Sequence, residues 1–468
     1  MQEFDITVIG SGPGGYTAAI RASQLGFKTA IIERDKLGGV CLNWGCIPTK
    51  ALIKSAEMMN KTKHMGEYGI NVEGKGFDFP KIIQRSRKVA EASEKGVQFL
   101  MKKNKITVIN GTAEFNADKT IAVKDKDGKV IDTVKSKHTI VATGARARTL
   151  PGIKFDEKKI LSSTGAMLMQ EVPAKMTIVG SGAIGMEFAY FYSAFGTEVT
   201  IIEMLPQILP VEDKEISEVV AREFKKLGVK MYTETKTESV EVKDGKVYTK
   251  VSGKLSDTIE SDVVLLAIGV TGNIENLGLE KAGVQLIRNS INVDTNYKTN
   301  VDGIYAIGDV AIVNEKPKPW LAHVASAEAV NCVEKIKGHE AGDINYGTIP
   351  GCTYCNPQVA SVGMTEEKAK AAGYKLKIGK FPFSANGKSR AAGETAGMVK
   401  LIFDEEYGEL LGAHIVGAEA TELISELVMV KSLDGVGESI IKTIHAHPTL
   451  SESILEAAGV AYGEAINI

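Results

Sequence analysis

Ile6-Thr7-Val8-Ile9-Gly10-Ser11-Gly12-Pro13-Gly14-Gly15-Tyr16 decides the fold, because an apolar strand runs straight into a glycine turn and helical periodicity follows over 16–25. Gly26 stands where that helix should stop, and a second apolar strand, 29–32, ends on Glu33. The unit then returns. Residues 176–179 read as the strand, Gly180-Ser181-Gly182-Ala183-Ile184-Gly185 as the turn and 186–195 as the helix, with Gly196 as its stop and 199–202 leading to Glu203. Gly10, Gly12, Gly15, Gly26 and Glu33 map onto Gly180, Gly182, Gly185, Gly196 and Glu203 at one constant offset. A single glycine turn can do no more than end a strand. Two complete units in register, each with its acid after the second strand, specify two dinucleotide-binding βαβ units.

In such a turn the first glycine makes the strand-to-helix reversal, the second lets the backbone approach a pyrophosphate, and the third lets helix and strand pack closely. The helix start adds amide donors and the positive end of its dipole. The acid accepts from ribose hydroxyls, so Glu203 favours NAD: a 2′-phosphate would be repelled, and Met204-Leu205-Pro206 offers no arginine. Hydride from a nicotinamide must reach a second carrier, and FAD fits. The first unit is the expected flavin site, because candidate redox cysteines follow it directly.

Those cysteines lie in Gly38-Gly39-Val40-Cys41-Leu42-Asn43-Trp44-Gly45-Cys46-Ile47-Pro48-Thr49-Lys50. Their spacing would put Cα atoms about 8–9 Å apart in a helix and about 16 Å apart in a strand, beyond the roughly 7 Å a disulfide allows. A bond therefore needs a bend between them, which Gly45 permits, with Pro48 starting a helix just after Cys46. A helix N-terminus stabilises thiolate, making Cys46 the candidate resting thiolate. Cys332, in the helical run 326–336, reads as core. Cys352 and Cys355 form a Cys-x-x-Cys in a segment that reads as extended, with no helix start or second ligand pair beside it, so neither redox nor metal chemistry is assigned there.

With 468 residues the chain needs more than one core, and a net charge of −2 with no basic surplus argues against nucleic acid and anionic membranes. The apolar run 263–268 is far short of a membrane span. The start, Met1-Gln2-Glu3-Phe4-Asp5, enters a strand pattern at once, so the expected location is the cytoplasm, or the mitochondrial matrix for a processed organelle protein. Between the two units lie a helical region over 50–103 and short strands over 107–134. From 346 onward strands (358–363, 375–383, 399–403, 409–416) and helices (365–372, 421–433) alternate without a dinucleotide fingerprint. The expected fold is α/β: two Rossmann-like dinucleotide-binding domains, FAD over 1–148 and 271–345 and NAD over 149–270, plus an α+β dimerisation domain over 346–468.

Taken with Ala142-Thr143-Gly144, Tyr305-Ala306-Ile307-Gly308-Asp309 and His447-Pro448-Thr449-Leu450-Ser451-Glu452, these stretches resemble the pyridine nucleotide–disulfide oxidoreductases over essentially the whole chain. Within that family the likeness is to its lipoamide-oxidising branch. The resemblance implies that Cys41 is the interchange thiol facing the dithiol, Cys46 the thiolate against the flavin, and Lys50 a flavin-edge lysine paired with Glu187. It implies that His447 is the base, oriented by Glu452 and supplied by the other subunit of a homodimer. Flavin contacts are implied for Gly10, Gly12, Gly14, Gly15, Glu33, Arg34, Lys50, Ala113, Thr143, Gly144, Asp309 and Ala322. Nicotinamide-dinucleotide contacts are implied for Gly180, Gly182, Gly185, Glu203 and Gly269. The implied partner is a lipoyl domain of a 2-oxoacid dehydrogenase complex or glycine cleavage system, with another small dithiol or disulfide as the alternative substrate class. His445 is the rival base, weaker for want of a glutamate five residues on, and no metal site is expected from His445 and His447. Val270-Thr271-Gly272-Asn273 replaces an arginine-containing segment common in the family.

Overall fold

The strand Gln2–Ile9 pairs in parallel with Thr29–Glu33 on one side and Val130–Val141 on the other in the computed structural model of the chain, which describes residues 1–74 and 76–468. Thr107–Asn110 extends the sheet beyond Thr29–Glu33, and Ile304–Ala306 pairs in parallel with the end of Val130–Val141. Side chains alternate between the faces. Ile31 enters a core with Ile6, Val8, Ala18 and Ala22, whereas Ala30 and Ile32 enter a second with Phe115, Val123 and Ile291. The helix Pro13–Gln24 packs beside Ala322–Lys337 at small residues: a Cβ on Gly14 would sit 3.3 Å from the Ala325 Cβ. These elements belong to one compact unit, Met1–Ala51, Lys81–Arg148 and Gly269–Tyr346.

The second unit gathers Leu52–Pro80, Thr149–Ile268 and Gly347–Ile468. Its parallel sheet runs in the order Lys230–Tyr232, Glu198–Ile202, Lys175–Val179, Val263–Leu266, Ile160–Leu161. The helix Ala183–Ala194 is wrapped on almost every side, with Phe188, Tyr190, Phe191 and Tyr192 all buried. Phe79 packs against Phe191, Tyr192 and Phe195, which explains why 52–80 groups with this unit. An antiparallel sheet follows: Gly351–Thr353, Gln358–Gly363, Leu410–Gly417, Met398–Asp404, Leu376–Pro382. Helices Ala420–Ser432 and Glu452–Tyr462 share one apolar core with it through Ile424, Leu427, Ile454 and Ala457. Among the described residues no helix is long and apolar enough to cross a membrane.

Two local expectations are corrected. The helical region 50–103 is two helices, Cys46–His64 and Phe79–Lys103, separated by a stretch containing Gly66, Gly69 and Gly74. The first begins at Cys46 itself, since Pro48 in its first turn would have had no intrahelical N–H bond to lose. The helix after His447 begins at Glu452, and ahead of it Thr449 donates its hydroxyl to the Ala446 carbonyl at 2.7 Å.

Lys400 is buried in the antiparallel sheet and its ammonium donates to Asp213 at 2.9 Å, Glu215 at 2.6 Å and Glu366 at 2.6 Å. Lys370 first and Lys400 second hold the Glu366 carboxyl down to about 2. A depressed folded-state value contributes stability above the ordinary carboxylate range and loses it as pH falls through about 2. Lys400→Met should cost about 3–5 kcal/mol, the usual penalty for stranding a buried ion-pair partner. Urea unfolding across that acid range should show a shallower pH dependence in the variant than in the wild type.

Candidate redox and dinucleotide sites

Both glycine turns are built alike. Gly10 has φ +95° and a Cβ there would lie 2.5 Å from the Ala142 carbonyl oxygen; Gly180 has φ +98° and would meet the Ala267 oxygen at 2.4 Å. A Cβ on Gly15 would fall 1.9 Å from the Gly10 oxygen, and on Gly185 2.1 Å from that of Gly180, so each helix can seat on its strand only with glycine. Gly12 and Gly182 face open space and cap their helices without a side-chain hydrogen bond, leaving the first-turn amides for an anion. This is the cradle a dinucleotide pyrophosphate requires. Ala in place of Gly185 should force a backbone shift costing about 1–3 kcal/mol. NADH affinity, followed by fluorescence titration, should fall while flavin content is unchanged; Gly15→Ala should give the reverse pattern.

The two acids hold their turns through serines that the motif reading passed over. Glu33 Oε2 accepts from the Ser11 amide at 2.9 Å and hydroxyl at 2.6 Å, and Oε1 accepts from the Asp35 amide at 2.9 Å. Glu203 repeats the set with the Ser181 amide at 2.9 Å, the Ser181 hydroxyl at 2.7 Å and the Leu205 amide at 2.9 Å. The serine takes both lone pairs of Oε2, so Oε1, with one bond accepted, keeps a lone pair for a ribose hydroxyl. The signal lay in the sequence, as a serine after the first glycine in both units.

A cavity of about 530 Å³ opens beside the first turn, lined by Ile9, Ile32, Arg34, Ala113, Thr143 and Arg146, among others. Its size suits the nucleoside end of a cofactor. Thr143 donates to the Asn273 carbonyl at 2.7 Å and Asn273 returns a bond to Thr143 O at 2.9 Å. Arg146 is anchored by Glu275 through two bonds, at 2.6 and 2.8 Å. Arg146 and Asn273 escaped the sequence reading because they meet only through pairing of Ala145–Ala147 with Val270–Gly272. Gly144 holds the adjoining turn at φ +66°. Asp309 sits half-buried in the turn Gly308–Val310, its carboxyl pushed up by burial against the opposing charge of Lys318. Ala322 is the first residue of its helix, and Gly269 takes φ +101°.

The cysteine stretch rests on the first turn: a Cβ on Gly39 would meet the Gly12 Cα at 2.7 Å. Cys41 lies in the short helix Gly39–Trp44, the chain turns at Gly45, and Cys46 opens the helix Cys46–His64. Buried Asn43 ties the short helix down by donating to the Leu37 and Gly39 carbonyls, each at 3.0 Å. The bend brings the two side chains into hydrogen-bond contact. That bond with Cys46, then burial and the charge on Cys46, push the Cys41 thiol up, while Lys50 acts in the opposite sense. Cys46 is exposed and Cys41 half-buried. Burial first, and then the two sulfurs, push the Tyr16 hydroxyl up.

His447 Nδ1 lies 2.8 Å from Glu452 Oε1, and Glu452 Oε2 accepts from the Thr449 amide at 2.8 Å. Burial works against ionisation of Glu452, but the Thr449 amide and the His447 ring outweigh it, and its carboxyl sits below the ordinary range. With Nδ1–H given to the carboxylate, Nε2 becomes the basic nitrogen of the ring. His445 has its own carboxylate, Glu426, at 2.8 Å, a partner distant in sequence that no local spacing could reveal.

A family model described as pyridine nucleotide-disulphide oxidoreductase matches residues 4–329, and its dimerisation domain matches 349–458. A dihydrolipoyl dehydrogenase of Rhizobium etli is 48% identical over 100% of this chain and 99% of its own length, and one from Zymomonas mobilis is 46% identical over 99% of each. The crystal structure of LpdA from Mycobacterium tuberculosis superposes with a TM-score of 0.89 at 27% identity, covering 97% of this chain and 99% of that one. The chain belongs to the pyridine nucleotide-disulphide oxidoreductases.

Membership makes it an α/β oxidoreductase whose cofactors are FAD and NAD, and whose C-terminal part is a dimerisation domain. Both glycine turns fit these dinucleotides. Glu187 is buried in the helix Ala183–Ala194, its Oε1 accepting from the Tyr354 amide at 3.0 Å. Of the remaining cysteines, Cys332 is fully buried and its thiol is pushed up by burial, and Cys355 donates to the Pro357 carbonyl at 3.2 Å. Among the described residues no cluster of three or more His, Cys, Asp or Glu side chains could hold a metal ion.

Proposed function

We propose that this oxidoreductase is a dihydrolipoyl dehydrogenase, oxidising a lipoyl-borne dithiol and reducing NAD⁺. The observation that carries this reading is the contact between Cys41, on the short helix whose Gly39 abuts the first dinucleotide turn, and Cys46, at the start of the next helix. The full-length likeness to dihydrolipoyl dehydrogenases selects the dithiol from other disulfide substrates. In this reading residues 1–148 and 271–345 bind FAD, 149–270 bind NAD, and 346–468 pair two copies.

His447 Nε2 removes a proton from the substrate dithiol, with Glu452 holding the ring through Nδ1. The substrate thiolate attacks Cys41 in the oxidised pair, forming a mixed disulfide and releasing Cys46 as thiolate. The helix N-terminus stabilises that charge. The second substrate thiol then closes the lipoyl ring on the mixed disulfide, its proton ending on Cys41 as that sulfur leaves, while His447 keeps the first proton. FAD, held by the first turn, Glu33, Arg34, Ala113, Thr143, Asp309 and Ala322, supplies the two-electron relay between the reduced pair and NAD⁺. Lys50 serves the flavin edge, and Gly180, Gly182, Gly185, Glu203 and Gly269 hold NAD⁺. His447 comes from the second copy of a homodimer, and the substrate arrives on the lipoyl domain of a 2-oxoacid dehydrogenase or glycine cleavage assembly.

The yellow holoprotein should form NADH when mixed anaerobically with dihydrolipoamide and NAD⁺, and should not oxidise NADPH with glutathione disulfide. Absence of NADH formation from flavin-replete protein would sink the assignment.

A further inference from the structure

The segment carrying His447 is held almost entirely by side chains. Among the described residues no backbone–backbone hydrogen bond engages residues 444–449. Its ties are Asn386 Nδ2 to the Thr449 carbonyl at 3.0 Å, Thr449 and His447 to Glu452, and His445 to Glu426. His445 is thus the link upstream of His447, fastening the segment to the helix Ala420–Ser432.

That link constrains the charge of the ring. His445 Nδ1 lies 2.9 Å from the Thr443 carbonyl oxygen and Nε2 lies 2.8 Å from Glu426 Oε1. A carbonyl and a carboxylate only accept, so both ring nitrogens must donate, and only the imidazolium has two N–H groups. Its side chain is 4% exposed, whereas Glu426 keeps 33% of its side chain in contact with water, which solvates a carboxylate there. The charged groups facing the ring are Glu426 and, from the helix Glu452–Tyr462, Glu452; both favour the cation, and the Glu426 bond outweighs burial.

We propose that His445 is a positioning residue, an imidazolium whose two hydrogen bonds set the segment that presents His447, so that dithiol oxidation depends on the charge of a second histidine. The inference rests on His447 being the base. As pH rises through the His445 titration, a lone pair comes to face an oxygen, the link turns repulsive and His447 loses its register. Glu426→Gln reverses this requirement. A glutamine amide donates to Nε2 while Nδ1–H keeps the Thr443 carbonyl, so the neutral ring is satisfied and the dependence disappears.

The test uses the FAD-loaded protein labelled at histidine Cε1, with the His445 resonance assigned by its loss in His445→Gln. NMR should report a doubly protonated His445 ring at neutral pH in the wild type and a neutral ring in Glu426→Gln. Across the wild-type His445 titration, kcat/KM for dihydrolipoamide should fall about tenfold, and in Glu426→Gln it should stay within about twofold, the scale on which small misplacements of a catalytic group act. NADH-driven dye reduction, which needs no base, should stay level in both. His445→Gln, whose amide donates without titrating, should flatten the profile too and serves if Glu426→Gln does not fold. A neutral wild-type ring, with the proton on Glu426 instead, overturns the proposal, as do superimposable pH profiles. A His447→Gln protein of undiminished activity would instead refute the base assignment and leave the NMR result standing.

Discussion

Cys46→Ser protein should lose dihydrolipoamide-dependent NAD⁺ reduction by at least about 10³-fold, as expected when one member of a catalytic unit is removed. The loss should be complete in mechanism and local in structure. Serine cannot close a disulfide with Cys41, yet it keeps the helix start at residue 46, the bend at Gly45 and the contact of Gly39 with Gly12. Flavin content and NADH-driven dye reduction should therefore survive. The two cysteines should also differ spectroscopically. In the proposed roles Cys46 carries the thiolate, so reduced wild type and Cys41→Ser should show a long-wavelength thiolate–flavin absorption band. Cys46→Ser should lack it. A band that survives in Cys46→Ser and vanishes in Cys41→Ser would reverse the roles of the two sulfurs.

Replacing His447 by glutamine should lower kcat/KM for dihydrolipoamide by about 10²–10⁴-fold, the usual contribution of a positioned base. Glutamine can keep a bond to Glu452 but cannot take the thiol proton. Glu452→Gln should do less harm, because it loosens the ring and weakens the stabilisation of the imidazolium without removing Nε2. Steady-state assays in the forward direction, beside NADH-driven dye reduction, separate the two halves of the reaction. Equal losses in both assays would mean that the substitution damaged the fold rather than the base.

The legible parts of this protein share one property: their physical requirement is local. Gly10 takes φ +95° and a Cβ on Gly15 would strike the Gly10 oxygen, so a few consecutive residues announce the βαβ unit. The bend between Cys41 and Cys46 is likewise contained within the stretch that Gly38 and Lys50 delimit. The antiparallel strands of the C-terminal part could be read from alternation, and Gln358–Gly363 lies where the pattern put it. Ser11 and Ser181 are equally local, but they serve the acids rather than the turn itself, so the glycine pattern does not require them.

What remained hidden depends on residues remote in the chain. Arg146 reaches Glu275, and Thr143 reaches Asn273, only once two short strands pair. Lys400 reads as an ordinary strand lysine until three carboxylates from other segments close around it. His445 looked the poorer histidine by local spacing, and its carboxylate came from a helix earlier in the chain. The sequence by itself determined the two dinucleotide turns and the cysteine pair, since backbone sterics and helix dipoles act over a few residues. Only the tertiary structure decided which charges are neutralised and which rings are held, because a buried ion is tolerable only where the folded chain brings its partner.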